Sequence, residues 1–139
     1  PGGTLVLAIE NRLGLKYFAG ANEDHYNRPF EGLNNYPNDT GIRTFSYEEL
    51  TSLVNTLDNS SSDFFLPFTD YKFAQTIIAA DDMTHYHEAF VNEINYGAYS
   101  FSSFDQSTVF RTLAEQSDLK TFANSFIVLI RKDSAEEGQ

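Results

Sequence analysis

The residues with the most chemistry to offer lie close together in "IENRLGLKYFAGANEDHYNRPFEG", residues 9 to 32. A hydrocarbon run, Leu5 to Ile9, stops at Glu10-Asn11, and the chain that follows supplies Lys16, Tyr17 and the triplet Glu23-Asp24-His25. His25 carries the side chain that changes charge nearest neutral pH. It would serve as general base toward a hydroxyl, with Asp24 or Glu23 orienting its imidazole. The competing reading is that the triplet closes a turn by local hydrogen bonds, because adjacent residues cannot all point inward. Asp70-Tyr71-Lys72 forms a second group, in which Lys72 would steer a phosphate or carboxylate or else make a surface ion pair. Lys16 and Tyr17 admit the same two kinds of reading, with Tyr17 leaning toward packing inside the loop. A metal at Glu23, Asp24 and His25, or at His85-x-His87, is not favoured, since no longer-range ligand spacing supports it.

These groups need elements to hold them. Thr4 to Ile9 has no polar alternation, which suits a strand covered on both faces, as in parallel α/β sheets. Residues 10 to 44 form a long Gly- and Asn-rich connection; loops of that length are usually functional or disordered, and the aromatics here, which give it something to pack with, favour an ordered, functional one. Ser46-Tyr47-Glu48-Glu49 reads as a capping box, opening a helix whose apolar stripe falls at 47, 50, 53, 54 and 57. Phe64-Phe65-Leu66 reads as a short strand that Pro67 pushes to a sheet edge. Thr76 to Ala80 reads as strand and 81 to 96 as helix. Ser103 is the expected cap of a helix running to about Gln116, with Phe110, Leu113 and Ala114 inward. Phe126 to Ile130 is a second apolar strand, and residues 133–139 form a solvated tail.

Bulk properties narrow the class. A chain of 139 residues with 41% hydrophobic residues can bury a core, and thirteen Phe with eight Tyr make ring packing dominant in it. A net charge of −11, with nine Lys and Arg among twenty Asp and Glu, argues against nucleic acid as the main partner. No run approaches the roughly 18 apolar residues of a membrane-spanning helix. The absence of cysteine excludes disulfides and thiolate metal sites and fits a reducing, cytoplasmic setting. The chain opens at Pro1, with Met83 its single methionine and a strand-like run within three residues. That arrangement is expected of a piece of a longer protein.

The segments "PGGTLVLAIEN", "NRLGLKYFAGANEDH", "RTFSYEEL", "PFTDYKFAQTIIAADDM" and "FANSFIVLIRK" together resemble class I S-adenosylmethionine-dependent methyltransferases. The resemblance is to a bacterial branch found beside, or fused to, glycosyltransferases of surface-polysaccharide assembly. It covers residues 1–132 and rests most on Glu-Asn-x-x-Gly-x-Lys-Tyr through Glu-Asp-His, with Asp-Tyr-Lys later. It implies an α/β fold with a Rossmann-like sheet ordered 3-2-1-4-5-7-6, the last strand antiparallel. Thr4–Ile9 would be strand five, Phe64–Phe68 strand six and Phe126–Ile130 strand seven, with covering helices. It also implies that Glu10, Asn11, Lys16, Tyr17, Asp70, Tyr71 and Lys72 line the acceptor, with His25, Asp24 and Glu23 catalytic.

The departure from that family is large. No Gly-x-Gly occurs among the eight glycines, and the cofactor-binding half, strands one to four, is missing. S-adenosylmethionine is therefore expected in the full-length parent and not in this chain, which would be inactive alone. The expected acceptor is a saccharide or related hydroxyl compound. The alternative is a non-catalytic structural or docking module of a larger glycosyltransferase. Loss of a neighbouring strand would leave Thr4–Ile9 as an unblunted apolar edge, prone to self-association.

Overall fold

The computed structural model describes residues 2–38, 41–82 and 103–134. Its elements are β1 (Thr4–Glu10), α1 (Leu15–Phe18), α2 (Tyr47–Val54), β2 (Ser60–Phe68), a short 3-10 turn at Tyr71–Phe73, β3 (Thr76–Ala79), α3 (Gln106–Glu115), α4 (Leu119–Phe122) and β4 (Ser125–Lys132). The four strands form one open sheet, ordered β1-β4-β2-β3, in which every neighbouring pair is antiparallel. Since β4 opposes both β1 and β2, those two strands run in the same direction. Their carboxyl ends therefore share one rim.

The core lies on one face of this sheet. Phe126, Val128 and Ile130 of β4 point to it, as do Leu66 and Phe68 of β2 and Ile78 of β3. Leu50 and Val54 of α2, Phe110 and Ala114 of α3, and Leu119 of α4 close over them. Ring packing is prominent, with Phe68 and Phe110 edge-to-face at 5.3 Å and Tyr47 set against Phe64 at 5.2 Å.

The opposite face differs from the sequence expectation. An apolar run suits burial on both sides, yet Val6 of β1 is 62% and Ile77 of β3 54% exposed, and Leu5, on the core face opposite Ile130, is 58% exposed at the end of the strand. Among the described residues β1 pairs on one side only, with β4.

Pro67 does not mark a sheet edge. β2 is an interior strand between β4 and β3, and among the described residues β3 is the edge. Pairing with β4 stops at Phe65, while pairing with β3 continues to Phe68. Phe64 accepts from the Ala80 amide on the β3 side. By alternation, the nitrogen of Pro67 faces the β4 side, beyond the end of that ladder, where no bond is lost.

Local signals located the start of α2, placed the cap of α3 two residues early, and gave no indication of the short helices α1 and α4. The Ser46 amide donates to Glu49 Oε2 at 2.8 Å and the Glu49 amide to Ser46 Oγ at 3.3 Å, a complete capping box. The helix stops at Val54, and Leu53 and Leu57 face solvent. The α3 cap is Asp105 and not Ser103, with Asp105 Oδ1 accepting from the Ser107 amide at 3.0 Å. Ser103 instead donates to the Ala19 carbonyl. The helix expected over 81–96 falls, beyond Asp82, outside the described residues. Among the described residues no helix is long and apolar enough to cross a membrane.

Candidate functional site

The connection from β1 to α2 is ordered by its own polar groups. The Arg12 guanidinium holds Glu49 through two bonds, at 3.1 and 2.9 Å, and donates to the Gly32 carbonyl at 3.1 Å. One arginine thus ties the loop to the N-terminal turn of α2. Arg43 stacks its guanidinium on Tyr36, 5.4 Å from the ring centroid, and on Phe45 at 5.8 Å. Gly14 is required where the chain turns out of β1, because a Cβ there would lie 3.1 Å from both the Asn11 carbonyl and the Asn124 backbone.

Six of the ten candidate residues converge on one charged network at the shared rim. Lys16 Nζ lies 2.7 Å from Glu10 Oε2, 3.1 Å from Asp70 Oδ2 and 3.5 Å from Asp24 Oδ2. The Tyr17 hydroxyl donates to Asp24 Oδ2 at 2.6 Å. Lys72 Nζ lies 3.0 Å from Glu10 Oε1 and 3.5 Å from Asp24 Oδ1. Glu10 is 4% exposed. Its Oε1, although close to Lys72, has no donor in hydrogen-bonding alignment.

Burial and charge pull against each other across this cluster. Burial pushes the Glu10 carboxyl above its ordinary value, and the nearby Lys16 only partly offsets that. For Lys16, burial alone would lower the pKa, but the charges of Glu10, Asp70 and Asp24 outweigh it and hold the ammonium well above the usual lysine range. Burial likewise opposes ionisation of Asp24, yet Lys16 and the Tyr17 hydroxyl bring its pKa below the ordinary value. The Tyr17 hydroxyl is pushed far up, first by burial and then by the carboxylates around it.

The remaining candidates divide. Tyr71 stands beside the network, with its amide held by Ser125 Oγ at 2.9 Å and its ring under Lys72. Asn11 is fully buried and bonded to the fold: its Nδ2 donates to the carbonyls of Ala123 at 2.7 Å and Thr121 at 2.9 Å, and its Oδ1 accepts from the Leu13 amide. Glu23 is also buried, and its Oε2 accepts from the amides of His25 and Tyr26, each at 2.8 Å. That is the turn-closing role. His25 is exposed, and its imidazole has no hydrogen-bond partner among the described residues. Neither Glu23 nor Asp24 orients it.

A cleft of about 450 Å³ opens over the network, with Glu10, Asp24, His25, Tyr71 and Lys72 in its wall beside Ala8, Ile9, Arg43 and Thr44. The sequence reading missed Arg43 and Thr44, and also Asn124 and Ser125, which support the site from β4. Asn124 Oδ1 accepts from the Lys16 amide at 2.9 Å. The signal for the last two was the polar pair at the start of an apolar strand, legible only once β4 is known to pair antiparallel with β1. Among the described residues no group of three His, Asp or Glu is placed to hold a metal. His85 and His87 lie outside those residues. Comparison of the chain with protein-family models, with curated proteins and with solved structures finds no match.

Proposed function

We propose that these residues are the acceptor-side portion of an S-adenosylmethionine-dependent methyltransferase acting on a hydroxyl of a saccharide or related molecule. The observation that carries the reading is the strand order. β1 and β2 run the same way with β4 turned antiparallel between them, as strands five, seven and six would be, while β3 adds an antiparallel strand beyond β2, where that order would end. In open α/β sheets ligands lie beyond the carboxyl ends of the strands, and there the charged cleft opens.

The reading places the cofactor elsewhere. The chain has no Gly-x-Gly. At Gly14 and Gly32 the space a Cβ would take is closed by the protein's own Asn11, Asn124, Arg12 and Tyr36, so these two glycines form no cradle. On this reading S-adenosylmethionine belongs to another part of the full-length protein, and this chain binds and orients the acceptor. His25, exposed in the cleft wall, is the group available to take the hydroxyl proton at an imidazole nitrogen. A docking module of a larger glycosyltransferase is the second reading, favoured by the uncovered apolar side chains Val6 and Ile77.

The test uses the full-length protein, labelled S-adenosylmethionine and a panel of sugar acceptors. Methyl transfer to a hydroxyl is expected, and His25→Ala should lower turnover on the order of 10²-fold with an unchanged melting curve. Absence of any transfer, with no cofactor bound, would leave the docking module. The same reading bears on the open strand. Thr4–Ile9 carries no Lys or Pro to blunt its edge, so the isolated chain is expected to self-associate in sedimentation experiments and Val6→Lys to reverse it. A wild-type chain that stays monomeric at high concentration would count against an edge left open in this way.

A further inference from the structure

One charged group in the cleft wall lacks a counterpart. Lys16 has three carboxylates within 3.5 Å, and Lys72 has two. Arg43, also in the wall, has none so close among the described residues. Its nearest carboxylate there is Glu49, at 3.9 Å. Both Glu49 oxygens are already held by Arg12, and one of them also by the Ser46 amide.

The Arg43 guanidinium is nevertheless fixed in place. The Arg12 amide donates to the Phe45 carbonyl at 3.1 Å, which ties the segment carrying Arg43 to the end of β1. Tyr36 and Phe45 stack against the guanidinium at 5.4 and 5.8 Å, and the Tyr36 hydroxyl is itself bonded to Thr44. Nη2 donates to Asn35 Oδ1 at 3.0 Å. Nε is buried without a partner and offers a ligand nothing. Nη1 also has no partner among the described residues, but it is not closed off in that way, on a side chain 31% exposed.

A guanidinium held in advance loses little freedom on binding, and its planar fork of N–H groups matches a carboxylate. A doubly charged phosphate fits less well, because Asp24, 34% exposed, puts a carboxylate into the same wall. Glu10 opposes an anion less, since its side chain is 5% exposed and paired with Lys16 and Lys72. His25 shares the wall with Arg43, and a cleft of about 450 Å³ falls within the range of small-molecule sites. A sugar seated on Arg43 therefore has its hydroxyls in the cleft that His25 lines.

We infer that Arg43 binds a carboxylate and that the cleft takes an acidic sugar, a uronate. The inference rests on the reading of this cleft as a saccharide-acceptor site, and it assigns the charge of the acceptor.

The test titrates this chain with glucuronate, galacturonate, the neutral amide of each, and glucose 6-phosphate, at constant ionic strength, following backbone amide signals. At least one uronate should give saturable shifts at Arg43, Thr44 and His25 in the millimolar range. Its amide, which keeps the shape and loses the charge, should bind about tenfold more weakly or worse. Arg43→Gln should weaken uronate binding about tenfold or more, and Arg43→Lys, which keeps the charge without the fork, by less. Because Arg43 also packs on two rings, the comparison of uronate with amide on the wild-type chain decides the matter where the variant disturbs the loop. Equal binding of uronate and amide would overturn the proposal. So would uronate binding that survives Arg43→Gln, saturation by glucose 6-phosphate alone, or no uronate binding at all. Uronate binding here without methyl transfer by the full-length protein would overturn the transferase reading and leave this site standing. Methyl transfer to neutral sugars alone would overturn this site and leave the transferase.

Discussion

Replacing Lys16 with methionine is expected to destabilise the fold by about 3–5 kcal/mol, the range for breaking a buried ion pair by removing one partner. The reason is the company the ammonium keeps. Glu10, Asp70 and Asp24 all lie within 3.5 Å of Nζ, and the Glu10 side chain is 5% exposed. Methionine fills similar space and leaves three carboxylates facing one another with Lys72 as the remaining cation close by. The wild-type contribution has a defined pH window. The folded pKa of Lys16 lies above its ordinary 10.5, so its stabilisation is fully present below that value and is lost as pH rises through the folded one. Asp24, whose folded pKa is depressed, adds stability that is present at neutral pH and lost as pH falls through that depressed value. In the variant the penalty should therefore shrink on acidification, as the stranded carboxylates take up protons. Urea denaturation at several pH values measures this, and Glu10→Gln added to Lys16→Met should recover part of the loss. A loss under about 1 kcal/mol, independent of pH, would put Lys16 among ordinary surface ion pairs.

A second large effect is expected from Asn11→Asp, a change of one atom's chemistry with almost no change in shape. Asn11 is 0% exposed and its Nδ2 donates to the Ala123 and Thr121 carbonyls. Aspartate would set a carboxylate oxygen against both. Burial and two facing carbonyls should raise the folded pKa of the new group by about three units, equivalent to about 4 kcal/mol. A raised carboxyl pKa means that the folded state binds the proton more tightly. The variant is then nearest to wild type below about pH 3.9, and its deficit grows as pH rises to the folded value. Melting curves across that range read the effect directly. Had Asn11 been a ligand-contacting residue, as its place beside Glu10 suggested, Asn11→Asp would weaken binding and leave the melting curve where it was. A flat pH profile with wild-type stability would restore that role.

Both expectations turn on distinctions that residue types alone do not make. Glu10, Lys16, Tyr17, Asp24, Asp70 and Lys72 were legible as chemistry because an apolar run emptying into ionisable groups marks a strand end at a rim. The capping box at Ser46 and Glu49 was legible because its partners are three residues apart. The strands over Thr76–Ala79 and from Phe126 onward were legible for the same reason: alternation and apolar runs are properties of neighbours in the chain. Pairing is not. The antiparallel register that sets Glu10 opposite Ser125 brings Asn11 to Ala123 across 112 positions of sequence. Only that register turned Asn11 into a structural residue and made Asn124 and Ser125 part of the site. Likewise Pro67 reads as an edge signal until the β4 ladder is seen to stop at Phe65, since a missing amide matters only on the side where a partner strand continues. The sequence by itself determined the apolar centres of the strands, the capped helix α2 and the body of α3, though not α1 or α4, and which charged groups gather near the end of β1. Tertiary structure decided which of those groups face the cleft and which hold the loop together, because burial and hydrogen-bond partners are set by contacts between distant segments.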